Sequence, residues 1–589
     1  MRVIATAGHV DHGKSTLLRA LTGMEPDRWE EERRRGLTID LGFVWTTAPD
    51  LAFVDVPGHE RFLTNMLAGV GPVPAVMFVV AADAGWQAQS REHLEVLDAL
   101  GIRHGVLVVT RADLADPSAA LGQAAQKLSG TGLAGVPAVA VSATTGAGLP
   151  ELRDELARMA ALLPGSDPDS GVRLWIDRVF TITGRGTVVT GTLGAGTVRV
   201  GDRLRMAGSD EELHVRGLHT LEHPVEQVDP PARIAINVRG RAADGLRRGD
   251  ALLTPGRWLD TEIFDVRSSS ADRTPPPRQV TFHTGAAAIP ATVRPLGADF
   301  CRITLRRPLP LRVGDRTLLR DPGSRRIWDA TVMDVRPPRL QRRGAAAHRT
   351  AQLGQVTGTP DGAALVRLHG LIRRADLIAM GVKPPAEPVT SDWVADPEHW
   401  IALGERLTRT IQDHAVRQPH DPGLSVEAAR RQLDLPDRSL VEALVTGTPL
   451  RLRRGKLFAQ QEVPTLPPDL RHAVDTVRAE LADSPFRAPQ ADRLTVLGLH
   501  TRALATAHAA QLLLRITDGI VLLPDAEEQA VRILGKLPQP FTVTQARQAL
   551  DTTRRVALPL LEYLDRRGRT VRIDDLHRRL REHRPPTGG

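Results

Sequence analysis

The residues near the start of the chain that could do chemistry follow a phosphate-binding pattern. Gly8 to Ser15 reads G-H-V-D-H-G-K-S, which fits G-x-x-x-x-G-K-[ST]. The glycines let backbone N–H groups close around a β-phosphate, the ammonium of Lys14 can bridge the β- and γ-phosphates, and the Ser15 hydroxyl can bind Mg²⁺. The 77 Lys and Arg residues include only five lysines, so a lysine retained at position 14 indicates a role that arginine cannot fill. The predicted nucleotide contacts in this segment are Gly8, His9, Val10, Asp11, His12, Gly13, Lys14, Ser15 and Thr16.

A second motif, D-V-P-G-H, begins at Asp55 and follows an apolar, strand-like segment. The Asp55 carboxylate can hold the magnesium shell through water, and the backbone N–H of Gly58 can reach a γ-phosphate. Loss of that phosphate would release the loop. The motif therefore predicts a switch that senses the terminal phosphate.

A third motif, T-R-A-D, begins at Thr110 and predicts the choice of base. The carboxylate of Asp113 can accept both N1–H and the 2-amino group of guanine, which adenine does not offer, and the stem of Arg111 can lie along the base. Ser142 and Ala143, which end the last strand-like segment, are expected beside them. The predicted ligands are therefore GTP and Mg²⁺.

Five short apolar segments must position these motifs, and they alternate with stretches of helical length. This is the pattern of a parallel α/β sheet, in which ligands bind beyond the carboxyl ends of the strands. Residues 1–169 are predicted to form an α/β P-loop GTPase domain whose strands lie at Val3–Ala7, Leu51–Val54, Ala75–Ala82, Gly105–Val109 and Ala138–Val141.

Together the motifs resemble those of the translational GTPases, the group that contains elongation factor Tu. The resemblance implies that Thr38 binds Mg²⁺ and senses the γ-phosphate, and that His59 positions the attacking water. It also implies a hydrophobic gate, Val10 and Leu37, that holds His59 away from the water until the ribosome intervenes. Thr110-Arg111 replaces the common Asn-Lys of the family. The replacement removes an amide that steadies the loop, and we expect it to affect nucleotide affinity rather than the choice of guanine.

Short alternating strands and three repeated Gly-Asp turns fill the middle of the chain and predict small antiparallel barrels. Residues 180–191 closely resemble the opening of the second domain of elongation factor Tu, which with the GTPase domain grips the aminoacyl end of a tRNA. Breaks rich in Pro and Ser place two β-barrel domains at 171–267 and 275–345.

The remaining residues show a helix, turn, helix, hairpin plan at 424–459 and again at 543–580, with another hairpin at 512–523 between them. A period of roughly 60 residues predicts tandem winged helices. The predicted modules are 346–395, which is degenerate, then 396–464, 465–527 and 528–589.

Positive charge is concentrated in the last module. Residues 531–589 hold 13 Lys or Arg against 6 Asp or Glu, which favours a nucleic-acid partner over the alternatives of a solvated basic face or a protein contact. A winged helix on A-form RNA should clamp phosphates and read exposed loop bases, and stacking is minor since only Phe541 and Tyr563 are aromatic there. The predicted messenger-RNA contacts are Arg547, Arg554, Arg555, Arg566 and Arg569.

A GTPase of this type joined to a row of winged helices resembles the family of bacterial selenocysteine-specific elongation factors, and 542–547 and 554–562 are similar to the family's last winged helix. The resemblance implies a factor that carries selenocysteinyl-tRNA with GTP to the ribosome, at UGA codons marked by a messenger-RNA stem-loop. A selenol is largely ionised at neutral pH, so paired cations could discriminate it from serine or cysteine. Carried over by motif, the selenocysteine pocket would use Phe43, Arg178 and Arg233.

Two rival functions share residues 1–345: a general aminoacyl-tRNA carrier or initiation GTPase, and a GTPase subunit that regulates a metabolic enzyme such as sulfate adenylyltransferase. No apolar run approaches the length of a membrane span, and the N-terminal apolar stretch is too short for a secretory signal, so we expect a cytoplasmic monomer without a membrane partner. The single cysteine, Cys301, excludes an internal disulfide and a cysteine zinc site.

Overall fold

A computed structural model of the chain describes residues 2–26, 38, 40–47, 49–58, 63–71, 73–163, 165, 167–182, 186–269, 274–297, 299–385, 387–418, 423–459 and 468–581. The chain divides into two compact units, Met1–Gly404 and Glu405–Gly589. Among the described helices, none has the length and apolar character that crossing a bilayer requires.

The first unit begins with a six-stranded sheet. Its strands are β1 (Arg2–Ala7), β2 (Gly42–Thr47), β3 (Asp50–Asp55), β4 (Ala75–Ala81), β5 (His104–Thr110) and β6 (Ala138–Ala140). They lie in the order β2-β3-β1-β4-β5-β6, and every pairing is parallel except that of β2 with β3. The five predicted strands are confirmed, and the antiparallel edge strand β2 is an addition.

Helices cover both faces of this sheet: α1 (Lys14–Thr22), α2 (Leu63–Val70), α3 (Ala88–Ala99), α4 (Ser118–Leu128) and α5 (Leu149–Leu162). One face packs against α1 and α5 through side chains such as Leu17 and Leu152, and the other against α2, α3 and α4 through side chains such as Met66 and Leu97. Burial on both sides explains the continuous apolar strands, and it fixes the polar segments that follow β1, β3, β5 and β6 at one edge.

An antiparallel barrel follows, with strands β7 (Arg173–Ile182), β8 (Gly186–Leu193), β9 (Val198–Arg199), β10 (Arg203–Met206), β11 (Glu212–Thr220), β12 (His223–Val225), β13 (Gln227–Val228), β14 (Ala232–Arg239) and β15 (Ala251–Leu253). Seven of these strands lie in the order β10-β15-β7-β8-β14-β11-β12, and an added pairing of β10 with β11 joins that sheet into a ring. The other two, β9 and β13, pair in a separate two-stranded sheet. A 3-10 turn, Arg241–Gly245, precedes β15.

A second barrel is closed in the order β16-β19-β18-β17-β20-β21. The strands are β16 (Asp260–Ser269), β17 (Gln279–Thr284), β18 (Ala287–Pro295), β19 (Phe300–Pro310), β20 (Arg316–Arg320) and β21 (Ile327–Asp334). The predicted division at 267/275 is therefore wrong, because β16 pairs with β19 and β21 and belongs to this barrel. The chain between β16 and β17 therefore joins two strands of one barrel and does not separate two domains. The repeated Gly-Asp turns occur as predicted, and each aspartate accepts a hydrogen bond from the N–H three residues earlier.

The region of the predicted degenerate module packs onto the second barrel. It contains α6 (Ala345–Leu353), α7 (Gly362–His369), α8 (Arg374–Ala379) and a two-stranded sheet of β22 (Leu371–Arg373) and β23 (Trp393–Ala395). Arg349 on α6 is buried and pairs with Asp265 and Asp334 of the barrel. Asp265 also pairs with Arg302 at 2.7 Å. Burial opposes the charge on Asp334, but His369 and Arg349 outweigh it and lower its pKa to about 2, so the network is ionic at neutral pH.

The long helix α9 (Pro397–Arg417) leads into the second unit, which contains three winged-helix modules. The helices are α10 (Val426–Leu433), α11 (Arg438–Val445), α12 (Pro468–Asp483), α13 (Ala491–Val496), α14 (Thr501–Ala509), α15 (Ala526–Leu534), α16 (Val543–Ala549) and α17 (Arg554–Arg566). The strands are β24 (Leu424–Ser425), β25 (Leu450–Arg453), β26 (Lys456–Ala459), β27 (Leu514–Thr517), β28 (Ile520–Leu522), β29 (Phe541–Thr542), β30 (Thr570–Arg572) and β31 (His577–Leu580). The last two modules share one apolar core, which runs from Ala473 to Leu564.

Candidate functional site

The loop after β1 is wound around the ammonium of Lys14. Gly8 has φ +129°, and a Cβ there would lie 2.1 Å from the carbonyl oxygen of Val79, so a larger residue cannot replace it. The buried Lys14 Nζ donates to the carbonyl oxygens of Gly8 at 3.1 Å and His9 at 2.8 Å. The ammonium is thus held within the loop, where the predicted phosphates would lie.

The three predicted magnesium ligands meet at one point. Ser15 Oγ donates to Asp55 Oδ2 at 2.7 Å and lies 3.1 Å from Thr38 Oγ1. The other Asp55 oxygen accepts from Thr6 Oγ1 at 2.7 Å, and Thr6 in turn accepts from the N–H of Val56. A carboxylate and two hydroxyls are the hard oxygen donors that Mg²⁺ prefers, so these residues fit the metal. Thr6 orients the carboxylate and was not predicted.

The D-V-P-G-H loop approaches the phosphate loop closely at Gly58. A Cβ on Gly58 would lie 2.6 Å from the Val10 nitrogen and 2.7 Å from Lys14 Nζ, so only the backbone fits there. This closeness agrees with the predicted role of its N–H toward a γ-phosphate. Two predicted residues, His59 and Leu37, lie outside the described residues.

Thr110 and Arg111 both tether the phosphate loop. The buried Thr110 hydroxyl donates to the carbonyl oxygen of His12 at 2.7 Å. Arg111, at φ +57°, donates to the carbonyl oxygen of Asp11 at 2.5 Å and pairs with Asp83 at 2.9 Å. A hydroxyl and a guanidinium thus hold the loop in place of the missing amide, and the effect on nucleotide affinity stays a prediction.

The two predicted guanine-binding segments are adjacent. The N–H of Ala112 donates to the carbonyl oxygen of Val141 at 3.2 Å, which joins the loop after β5 to the one after β6. Asp113 is exposed, Ser142 is buried and Ala143 is partly exposed. An exposed carboxylate above two packed loops is accessible to the edge of a base.

Sequence reasoning missed two side chains of α3 that hold the phosphate loop. The N–H of Gly8 donates to His93 Nδ1 at 3.1 Å, and the N–H of Val10 donates to Gln89 Oε1 at 3.0 Å. Burial, followed by Lys14, lowers the pKa of His93 to about 3, so its ring is neutral and able to accept. The two residues are four apart, one helical turn, and that spacing was the only sequence feature that could have indicated them.

The three predicted pocket residues, Phe43, Arg178 and Arg233, line one cavity of about 350 Å³ between β2 and the first barrel. The guanidinium of Arg233 lies 3.8 Å from the centroid of the Phe43 ring, and that of Arg178 lies 5.2 Å from it. His219 and Glu222 also line the cavity and were not predicted. An aromatic ring flanked by two cations can hold a small anionic group.

The cations of this cavity are not free. Arg233 makes two hydrogen bonds with the carboxylate of Asp177, and Arg178 pairs with Asp40 at 3.1 Å. Arg248 also pairs with Asp40, at 3.3 Å. Each predicted pocket cation thus has an acidic partner, and Glu222 adds a further acidic side chain to the cavity lining. The sequence predicted a pair of cations in the pocket, and the structure shows both of them held in ion pairs with aspartates.

The five predicted RNA-binding arginines of the last module divide into two groups. Arg555 donates to the carbonyl oxygens of Ala488 and Pro489, and Arg569 pairs with Glu527 at 2.8 Å, so these two hold the fold together. The other three, Arg547, Arg554 and Arg566, make no ion pair within the described part of the chain. Arg547 is half-buried, and Arg554 and Arg566 are exposed.

Sequence models of known protein families match segments near both ends of the chain. The sequence model for the elongation factor Tu GTP binding domain matches residues 1–161, and that for the elongation factor SelB winged helix matches residues 532–579. The selenocysteine-specific elongation factor of Desulfomicrobium baculatum is 30% identical over 97% of this chain and 98% of its own length. That of Escherichia coli (strain K12) is 30% identical over 98% of each chain. A crystal structure of the bacterial selenocysteine-specific elongation factor EF-Sec shares the fold, with a TM-score of 0.69 at 24% identity over 99% of this chain and 100% of that one.

The two rival functions rested on residues 1–345, whereas the similarity extends through the winged helices to the end of the relatives. The GTP-binding domain and the winged-helix match further agree with the predicted fold class. The chain is a translational GTPase and belongs to the family of selenocysteine-specific elongation factors.

Proposed function

We propose that the chain binds selenocysteinyl-tRNA in its GTP form and delivers it to the ribosome at UGA codons followed by a messenger-RNA stem-loop, which the last winged helix binds. GTP hydrolysis triggers release. The observation that carries the proposal is the single cavity formed by Phe43, Arg178 and Arg233, because it unites residues of the GTPase domain and the first barrel around a site for one side chain. As a translation factor, the protein acts in the cytoplasm as a monomer.

In the nucleotide site, the loop of Gly8 to Thr16 holds the phosphates, and Thr110, Arg111, Asp113, Ser142 and Ala143 select guanine. Ser15, Thr38 and Asp55 would hold Mg²⁺, which when bound neutralises phosphate charge. Their hydrogen-bonded convergence supports this assignment. His59 positions the attacking water, and Val10 and Leu37 form the gate that the ribosome opens.

In the pocket, a selenolate would interact with guanidinium groups that Asp40 and Asp177 already orient. Pre-oriented donors lose little entropy on binding, and a charge-assisted hydrogen bond favours the anionic selenolate over a neutral hydroxyl or thiol. Discrimination thus arises from the charge of the amino-acid side chain rather than from its size.

Protection of the aminoacyl ester against hydrolysis tests the pocket. The full chain with GTP is titrated against selenocysteinyl-, cysteinyl- and seryl-tRNA. Because removal of Arg233 alone would leave the buried Asp177 unpaired, the variant is the double substitution Arg233→Gln with Asp177→Asn, which keeps hydrogen-bonding groups but removes both charges. We expect the preference for selenocysteinyl-tRNA to fall by at least about tenfold, the worth of one charge-assisted hydrogen bond.

The matched control is Arg248→Gln. Arg248 pairs with Asp40 but does not line the cavity, so the preference should persist. GTP affinity should be unchanged in both variants. Undiminished preference in the double variant would contradict the assignment of the pocket.

A further inference from the structure

The hairpin of the first winged-helix module in the second unit, β25 and β26, is more basic than the corresponding hairpins of the other two modules. Residues 450–459 contain four cationic residues and no acidic one. Residues 514–522 contain one arginine and one aspartate, and residues 570–580 contain three arginines and two aspartates. The three hairpins, which have the same architecture, thus carry net charges of +4, 0 and +1. A strongly positive net charge is therefore specific to the first hairpin.

The strand register gathers this charge on one face. Arg453 lies opposite Lys456 and Arg451 lies opposite Phe458, and in an antiparallel pair such partners share a face with residues two apart. The other face is apolar and buries Leu457. The exposed face therefore combines three cationic side chains with a half-buried aromatic ring. We refer to Arg451, Arg453, Arg454, Lys456 and Phe458 as the basic wing.

The basic wing is unfavourable for the isolated protein. The like charges of Arg451, Arg453 and Arg454 lie within four residues of one another and repel. The turn places Arg454 at φ +48° ahead of Gly455, a conformation that is unfavourable for a non-glycine residue and that asparagine adopts more readily. An anionic partner would offset the repulsion and account for an arginine at the tip.

Most cations of the neighbouring hairpins have an acidic partner, and Arg579 is the exception within the described residues. Arg515 pairs with Asp518, Arg572 with Asp575 at 2.6 Å, and Arg578 with Asp565 at 2.9 Å. In contrast, Arg451, Arg453 and Arg454 form no ion pair within the residues that the structure describes, and all three are exposed.

Edge protection explains only part of this charge. β25 is the edge strand of the sheet β24-β26-β25, and charged side chains on an edge prevent pairing with other chains. That accounts for Arg451 and Arg453. It does not account for Arg454, which is in the turn, or for Lys456, which is on the central strand.

We propose that the basic wing binds the phosphodiester backbone of structured RNA, as an RNA contact additional to that of the last module. Contacts to phosphate from arginines at the tip of a hairpin are independent of base sequence, and their affinity depends on salt because bound counterions are released. The inference rests on the proposed RNA-carrying function but not on the arginines of the last module.

The test measures binding of the full chain to a stem-loop messenger RNA, a tRNA and an unrelated RNA duplex, over a range of salt concentrations. In the variant Arg451→Ala/Arg453→Ala/Arg454→Ala, each lost phosphate contact should reduce the slope of log K against log salt by about 1. We expect weaker binding, by at least about tenfold, for whichever of the three RNAs contacts the wing. Replacement of the same arginines by lysine should retain most of the affinity.

The control removes the same charge elsewhere, through Arg431→Ala/Arg438→Ala/Arg478→Ala. These arginines are already paired with Glu427, Glu442 and Asp475, so RNA binding should change little. Equal affinity and salt slope in the wing variant and the control would overturn the proposal. The proposed function would stand in that case if substitution of Arg547, Arg554 and Arg566 still abolished stem-loop binding, and absence of RNA binding by the unmodified chain would contradict both.

Discussion

The hydroxyl of Thr110 is the most specific test of how the phosphate loop is held. Thr110 is 3% exposed, and its Oγ1 donates at 2.7 Å to the carbonyl oxygen of His12, which is 2% exposed. In Thr110→Val the shape is retained but the donor is lost, so a buried carbonyl loses its partner at a cost of about 1–3 kcal/mol. If the unliganded loop relaxes to recover that energy, the binding-competent loop becomes rarer and the Kd for GDP and GTP rises by about 5- to 150-fold.

A fluorescent GDP analogue measures the change by equilibrium titration and by its dissociation rate. Thr110→Ser keeps the hydroxyl and should stay within about twofold of the unmodified protein, because the hydrogen bond survives. Thr110→Asn supplies an amide donor and should also bind tightly. A valine variant with the original Kd would refute the view that this hydroxyl holds the loop in its phosphate-binding form.

Three further predictions follow from the site, the second barrel and the last module. His59→Ala should leave GTP affinity nearly unchanged and suppress ribosome-stimulated hydrolysis, and full stimulated turnover would contradict its role. Burial, followed by Arg320, lowers the pKa of His283 to about 4 from an ordinary value near 6.5. Between those two pH values the unfolded chain binds a proton that the folded chain does not, so the free energy of unfolding falls as the pH drops through this range. The variant His283→Leu should therefore lose about 2 kcal/mol less unfolding free energy than the unmodified chain between pH 7 and 4.5, as measured by urea titration. Arg554→Ala with Arg566→Ala should weaken stem-loop binding and spare GTP binding, and unchanged stem-loop affinity would place the RNA site elsewhere.

Point substitutions test the last module better than truncation does. The core that joins the last two modules includes Phe486, and Thr552 donates to the carbonyl oxygen of that residue. Removal of the chain beyond residue 528 would therefore expose apolar surface of the preceding module. A loss of binding after such a cut would not distinguish unfolding from loss of the RNA contact.

The sequence predicted the elements that have strong local patterns. The apolar strands of the GTPase sheet, the helix-turn-helix pairs and the hairpin turns all occur close to where periodicity placed them. It failed where long-range pairing decides the outcome. The strand β16 belongs to the second barrel because of its partners β19 and β21, which no local pattern reveals. Thr553 precedes α17 without making a capping hydrogen bond, whereas Thr542 and Gln545 form a capping box at the start of α16.

In the candidate site, too, local motifs were predicted and long-range contacts were missed. Motif spacing identified the residues of the nucleotide loop, and their convergence on Lys14 and Asp55 follows from strand order. The tethers Gln89 and His93 were missed because they come from a helix remote in sequence. The pairing of Arg233 with Asp177 was missed because the two lie on different strands, and it makes the Arg233 side chain of the pocket part of an oriented ion pair.

Decoding in a reconstituted translation system tests the central claim, that one chain couples a GTP-dependent tRNA site to an RNA-binding tail. Selenocysteine incorporation is measured at a UGA codon with the native stem-loop, with the stem-loop deleted, and with GTP replaced by a non-hydrolysable analogue. We predict incorporation only when the stem-loop and GTP are both present. Equal incorporation without the stem-loop, or delivery of serine or cysteine in place of selenocysteine, would contradict the account.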